Sequence, residues 1–401
     1  VASGDEVTQP LAGIRVVDLT QVYSGPYCAF LMAQGGAEVI KIEPPAGESL
    51  RQRNARRGAG APFAMMNAGK RSMTLDLKSA EGKAILTRLI ETADVLLENY
   101  RPGVLARLGF DHAAIRAINP RVVVGSISGF GSKGPYRDYP AMDLTVQAMS
   151  GVMASTGLPD GAPLKAGAAV ADLAAGTHLY AAVLTALFHR ERTGEAKAVE
   201  VAMVDALYPT LASNVGLALA GGPGHVSRTG NRHGGLSLCP YSVYPAADGH
   251  VAIICTNENH WVSLVAALKL DHLAGPEFDT MEKRVARMDH VDAEVGKASM
   301  RFGKEALFQT LNAARVPCGS VREMAEVLHD PHLHETGMLF EMDHPQYGRL
   351  VLSHTPMRFL DEHRPAYRPS VALGADTDAV LGEELGMSAD EIADLRAKGV
   401  I

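Results

Sequence analysis

Up to Met203 the chain alternates short β-branched runs with stretches of helical period, and that alternation leaves few folds open. Ile14–Asp18 is one such run; Gly25-Pro26 then opens a helical stretch to Gly35, and Ala37–Ile42 is the next strand, closed by Pro44-Pro45. The unit recurs. Ser72–Leu77 reads as extended, Ser79 can cap a helix through Ala93, and Val95–Glu98 and Arg121–Ser126 are further strands. A long helical segment, Asp172–Arg192, precedes another strand at Val199–Met203. Strands separated by helices of this length pair in parallel, because each crossover helix returns the chain in the same direction and covers a face of the sheet. The expected fold class is α/β.

At 401 residues the chain exceeds a single core. The pattern divides it into a large domain at 1–219, a glycine-rich linker at 220–235, and a small mixed α+β domain at 236–330. The last part, 331–401, is a return segment whose helix-forming stretch Thr377–Lys398 packs on the large domain. Acidic residues exceed basic ones by 45 to 38 and the two signs are mixed, so no basic stripe points to nucleic acid and no polybasic helix to a membrane surface. Cys28, Cys239, Cys255 and Cys318 lie far apart without a CxxC pair, which argues against a disulfide scaffold or a zinc ribbon and fits a reducing compartment. The polar start Val1–Glu6 lacks the pattern of a signal peptide, and the apolar stretch Leu179–Phe188 is short for a bilayer. A cytoplasmic enzyme or binding protein is expected.

Few segments carry chemistry by themselves. Asp18–Gly25 joins a strand to a helix, where backbone N–H groups attract phosphate, yet it has no G-x-G-x-x-G. Arg51, Arg53, Arg56 and Arg57 form a cationic cluster suited either to a solvated surface or to bidentate recognition of phosphate or carboxylate. His329, His332 and His334 flank Pro331 without helical i, i+4 spacing, so exposed imidazoles in a turn are expected rather than a metal. Asp143 and Asp172 each precede a helical run. The ordinary role for such an Asp is an N-cap; the alternative is a carboxylate held ionised by the helix end, with small neighbours leaving room for a substrate.

Taken together, several segments resemble the class III CoA-transferases, the family of formyl-CoA, carnitine and aromatic acyl CoA-transferases and, more distantly, of α-methylacyl-CoA racemases. The matching stretches are Pro10–Asp18, Gly35–Glu43, Asn67–Lys78, Ala93–Gly103, Gly157–Pro163, Gly167–Asp172, Arg192–Glu195, Leu385–Ile392 and Gly399–Ile401. The resemblance implies a Rossmann-like large domain, a smaller α+β domain and a homodimer of two interlocked chains. It implies acyl-CoA and a carboxylic acid as substrates, with no tightly bound cofactor and no metal. By position Asp172 matches the family's nucleophilic aspartate. The CoA site maps onto Gln21, Val22 and Tyr23, onto Leu75 and Lys78, and onto Asn99, Tyr100, Arg101, Val104, Arg107 and Leu108. Gly234 and Gly235, after His233, are the expected oxyanion-donor loop, and Asp143 is expected to orient a loop or the substrate.

Two departures narrow the choice. The racemase branch carries a histidine where this chain has Met142, which cannot move a proton. The oxalate-using branch has a longer glycine run, which Leu236 interrupts here. The expected activity is transfer of CoA from a donor such as succinyl-CoA to a small carboxylic or dicarboxylic acid, through an aspartyl anhydride and thioester. Four arginines, Arg51, Arg53, Arg228 and Arg232, are candidates for pairing a second carboxylate. The rivals are an acyl-CoA racemase and a non-catalytic CoA-binding protein.

Overall fold

A computed structural model of the chain describes residues 9–53, 60–221, 226–360 and 366–401. Six parallel strands form its main sheet: β1 (Arg15–Asp18), β2 (Glu38–Glu43), β3 (Arg71–Thr74), β4 (Val95–Glu98), β5 (Val123–Ser128) and β6 (Ala198–Ala202). Their order across the sheet is β3-β2-β1-β4-β5-β6. This is the doubly wound order, in which the chain runs outward one way from β1 and then returns to start again at β4. Val16, Val17, Leu96, Leu97 and Val123 are fully buried, as strands covered on both faces require.

The helices follow their local signals. α1 (Ser24–Gln34) opens at the Gly25-Pro26 turn, and α2 (Ala80–Thr92) starts at Ser79, whose hydroxyl accepts the Gly82 N–H at 2.9 Å. α3 (Asp143–Ser150) is short, and α4 (Val170–Thr193) is the longest helix described. Along α4 the buried positions Asp172, Ala175, Gly176, Leu179, Val183, Ala186, Leu187 and Arg190 recur at helical spacing. Asp172 therefore lies on the stripe that faces the core. By length and composition α4 could cross a bilayer. In the fold that apolar stripe instead packs on α1, β5 and β6. Gly176 sets the closest approach, since a Cβ there would come within 2.4 Å of the Ser24 carbonyl oxygen.

The chain packs as two units. One comprises 1–146, 168–207 and 330–401; the other comprises 147–167 and 208–329. The boundaries differ from those expected. The segment 147–167 packs with the second unit rather than with the sheet, and the expected linker falls inside that unit, where helix Ala212–Gly221 occupies its start. In the first unit Val380, Leu381, Leu385, Ile392, Leu395 and Val400 enter the core beneath α2. The expected final helix is interrupted: Gly386 takes φ 66°, and Ser388 begins a new capping box for Ala389–Ala397.

The second unit holds a three-stranded antiparallel sheet, β7 (Tyr241–Ala246), β8 (Gly249–Ile254) and β9 (Cys318–Ser320). Trp261, Leu264, Leu268, Val291, Val295, Leu307 and Leu311 pack around it. Arg284 is wholly buried there but well satisfied, donating to the carbonyls of Cys239 (3.0 Å) and Phe278 (2.8 Å) and to Glu258.

Candidate functional site

In a doubly wound sheet the loops after β1 and β4 diverge, and the crevice between them is where ligands bind. Here the two loops are joined from within. The Asn99 side-chain amide accepts the Gln21 N–H at 2.9 Å and donates to the Gln21 carbonyl at 2.8 Å, a reciprocal pair that fixes one loop against the other. Above it opens a cavity of about 180 Å³, lined by Gln21, Val22, Ser24, Asn99, Tyr100, Arg101 and, across from them, Gly129, Arg137, Tyr139, Met142 and Asp172.

Asp172 owes its character to burial and then to Asp143. The first turn of α4 leaves backbone N–H groups without intrahelical partners. Ala169, the N-cap residue, offers no side-chain acceptor, and Asp143 Oδ1 accepts instead from Ala171 N (2.8 Å) and Asp172 N (3.2 Å). Asp143 thus caps a helix other than its own. The Asp172 carboxylate caps nothing; it is 8% exposed and accepts from the Ser24 hydroxyl. Burial first, and then the like charge of Asp143, push the Asp172 carboxyl up to about 7, with Ser24 opposing. The expectation that the helix end keeps Asp172 ionised is corrected here. The N–H groups that would have stabilised its charge are taken by a second carboxylate, which repels it.

Such a group is poised near neutral pH. Once ionised it is a more basic carboxylate than one in water, poorly solvated and set against an open cavity, which suits attack on an electrophilic carbonyl carbon.

Of the other residues singled out in the sequence, Gln21, Val22, Asn99, Tyr100 and Arg101 share this cavity with Asp172. The Tyr100 hydroxyl bonds to the Gln21 side chain, and burial pushes the phenol up to about 12. Tyr23 is the N-cap residue of α1, its carbonyl accepting the Tyr27 N–H. Leu75 and Lys78 follow β3, two strands away from β1 in the sheet; Leu75 is 1% exposed in the core, and Lys78 is exposed. Val104 and Arg107 form a single helical turn after the β4 loop, with Arg107 exposed, and Leu108 packs on the core.

Gly234 and Gly235 belong to the second unit. There the Gly235 N–H donates to His233 Nδ1 at 3.2 Å, which engages one of the two proposed oxyanion donors. Leu236, which interrupts the glycine run, takes φ 50°, the left-handed region that favours glycine.

Three of the four arginines proposed to be spare are engaged. Arg51 makes a two-pronged pair with Glu43 (both 2.8 Å) and lies over the Phe63 ring. Arg228 donates to the carbonyls of Ala154, Leu158 and Gly161. Arg232 pairs with Asp289 and Asp292. The Arg53 side chain, with Arg56 and Arg57, lies outside the described residues. The cations on the cavity wall are Arg101 and Arg137, the latter paired with the exposed Asp138 at 3.2 Å. Neither Arg137 nor Ser24 stood out in the sequence. The signal for Ser24 was its place just before Gly25-Pro26, at the start of the helix that α4 packs against.

Comparison with known proteins gives a consistent picture. The model of CoA-transferase family III matches residues 11–377. A succinate–glutarate CoA-transferase of Agrobacterium fabrum is 34% identical over 393 residues, covering 93% of this chain and 95% of the relative. A formyl-CoA:oxalate CoA-transferase of Streptomyces avermitilis is 35% identical over 411 residues, covering 98% and 100%. The crystal structure of a CAIB/BAIF family protein from Brucella suis superposes with a TM-score of 0.81 at 32% identity, covering 94% of this chain and 99% of that one.

The position of Asp143 makes a pH test possible. A rate that depends on ionised Asp172 should rise through an apparent pKa near 7 and stand about 100-fold below its plateau two pH units lower. Asp143→Asn keeps an acceptor for the α4 N–H groups but removes the repelling charge, so the acid limb of kcat/KM should move to lower pH. An unmoved limb in that variant would contradict the coupling.

Proposed function

The chain belongs to CoA-transferase family III, and we propose that it moves CoA from an acyl-CoA donor such as succinyl-CoA to a small dicarboxylic acid through covalent intermediates on Asp172. The observation that carries this is a buried carboxylate of raised proton affinity on the wall of a cavity at the strand-order reversal. Exchange of CoA between acids conserves the thioester, so no energy source is consumed and no bound cofactor is required. The enzyme's task is to lower a barrier.

An ionised Asp172 oxygen attacks the thioester carbonyl carbon. The tetrahedral oxyanion collapses by breaking the C–S bond, which leaves a mixed anhydride on Asp172 and CoA as thiolate. The thiolate attacks the Asp172 carbonyl of that anhydride, expelling the first acid as its carboxylate and leaving an aspartyl-CoA thioester. The incoming carboxylate attacks the aspartyl carbonyl, displaces CoA thiolate and forms a second anhydride. The thiolate then attacks the new acyl carbon and returns Asp172 as a free carboxylate. No proton is gained or lost over the cycle. Each oxyanion needs aimed donors, for which the Ser24 hydroxyl beside Asp172 is the candidate in this cavity. Water must stay out, or the anhydride hydrolyses.

A dicarboxylic acceptor is favoured by Arg101 and Arg137 on the cavity wall and by the acids named in the relatives: succinate, glutarate and oxalate. We assign the CoA moiety to the loops at Gln21–Tyr23 and Asn99–Arg101, with Lys78, Val104, Arg107 and Leu108 as the outer part of the same site, whereas Leu75 is buried in the core. The four cysteines are free thiols, in keeping with a cytoplasmic place of work.

A homodimer is part of this reading, and one further observation supports it. Helix Ala212–Gly221 buries none of its residues in the single chain, and Leu219 is 82% exposed. So apolar a helix calls for cover from a second copy.

With succinyl-CoA and a panel of acids, mass spectrometry should show new acyl-CoA species for dicarboxylic acids first, and Asp172→Ala should lower turnover by on the order of 10³-fold or more. An Ala variant of near-normal activity would end the assignment. Light scattering should give twice the 42.5 kDa mass of one chain, and a monomer would contradict the dimer.

A further inference from the structure

Val22 lines the cavity in a conformation that its side chain disfavours, with φ 68°. A β-branched residue in the left-handed region is strained and persists only where its surroundings hold it. What holds it lies outside the residues assigned to substrate. The Val22 N–H donates to Glu48 Oε2 at 2.8 Å, and the Glu48 side chain is wholly buried. Its second oxygen lies 3.0 Å from the Lys41 ammonium, a charge contact without an aligned hydrogen bond. Lys41 projects from β2, is itself wholly buried, and donates to the Thr20 carbonyl at 2.9 Å. The β1 loop is thus gripped on both sides, at Gln21 by Asn99 beyond β4, at Thr20 by Lys41 on β2 and at Val22 by Glu48 beyond β2.

We propose that Glu48 is a positioning residue for acyl-CoA binding, its buried carboxylate fixing Val22 in the left-handed conformation that shapes the cavity. Resting on the reading of that cavity as the acyl-CoA site, the proposal assigns Glu48 to binding and not to chemistry. Loss of its acceptor should raise KM for the acyl-CoA and leave kcat close to that of the parent enzyme.

A single substitution at Glu48 would remove the carboxylate 3.0 Å from the buried Lys41 ammonium and confound position with stability. Two double variants separate them. Glu48→Gln with Lys41→Met removes both charges but keeps an acceptor for Val22. Glu48→Leu with Lys41→Met removes the charges and the acceptor together. Calorimetry with CoA itself, on the full chain, should show the Gln pair within about threefold of the parent and the Leu pair weaker by about tenfold or more, with kcat within about twofold in both. Equal CoA binding by parent and Leu pair, or equal loss in both pairs, would overturn the proposal. Failure of the parent to bind CoA would sink the acyl-CoA reading itself, a distinct outcome. If the Leu pair does not fold, amide hydrogen exchange on the parent decides: Val22 N–H should be protected to the level of the β1 amides, and exchange at the rate of an open loop would overturn the role of Glu48.

Discussion

The charge balance of the site rests on the burial of Asp172 and on which carboxylate takes the end of α4. A helix N-terminus offers backbone N–H groups to one acceptor, and here Asp143 holds them. Asp172, in the first turn of the same helix and on its buried stripe, is left with the Ser24 hydroxyl, little solvent and a negative neighbour. Its charge is therefore expensive. In the proposed reaction that cost favours attack, since a poorly solvated carboxylate gains more by bonding to a carbonyl carbon than one already held by several donors.

The sheet supplies the place and the loops supply the shape. Reversal of strand order between β1 and β4 opens a crevice without needing any particular side chain. What makes it a defined cavity is polar pinning of the chain that leaves β1. Asp18, wholly buried at the end of that strand, takes the Thr20 N–H and hydroxyl and pairs with Lys70 at 3.0 Å. Gln21 is held by Asn99 and Val22 by Glu48. Buried charges in a parallel sheet are costly singly, yet here each finds an opposite charge or an oriented hydrogen bond. Their yield is a loop whose backbone is already set, which would reduce the ordering cost of binding in the proposed reaction. Gly176 completes the arrangement by letting α4 approach the Ser24 turn, without which Asp172 and Ser24 would not meet.

The sheet was legible because its strands are nearly continuous apolar runs and its helices carry local start signals such as Ser79. Asp172 was legible by its place in a family pattern. Its environment was not, because that environment depends on Asp143, 29 residues earlier, reaching across to cap a helix that is not its own. Sequence shows that two acids each precede a helix; it does not show that one serves the other's. The arginines failed for the same reason. Arg51 and Arg232 look free along the chain, and their partners are Glu43 on a neighbouring strand and Asp289 and Asp292 far downstream. Lys41 and Glu48 were likewise invisible, one inside a strand and the other past a proline turn, until the fold buried them together. Segment 147–167 shows the limit for domain boundaries, since its packing with 208–329 rests on contacts distant in sequence.

The most direct measurement is a covalent trap. Incubating the full chain with an acyl-CoA and hydroxylamine, followed by peptide mass spectrometry, should place a hydroxamate on the Asp172 side chain, formed only in the presence of acyl-CoA. An unmodified Asp172 in protein that is turning over acyl-CoA, or a label on another carboxylate, would contradict the account.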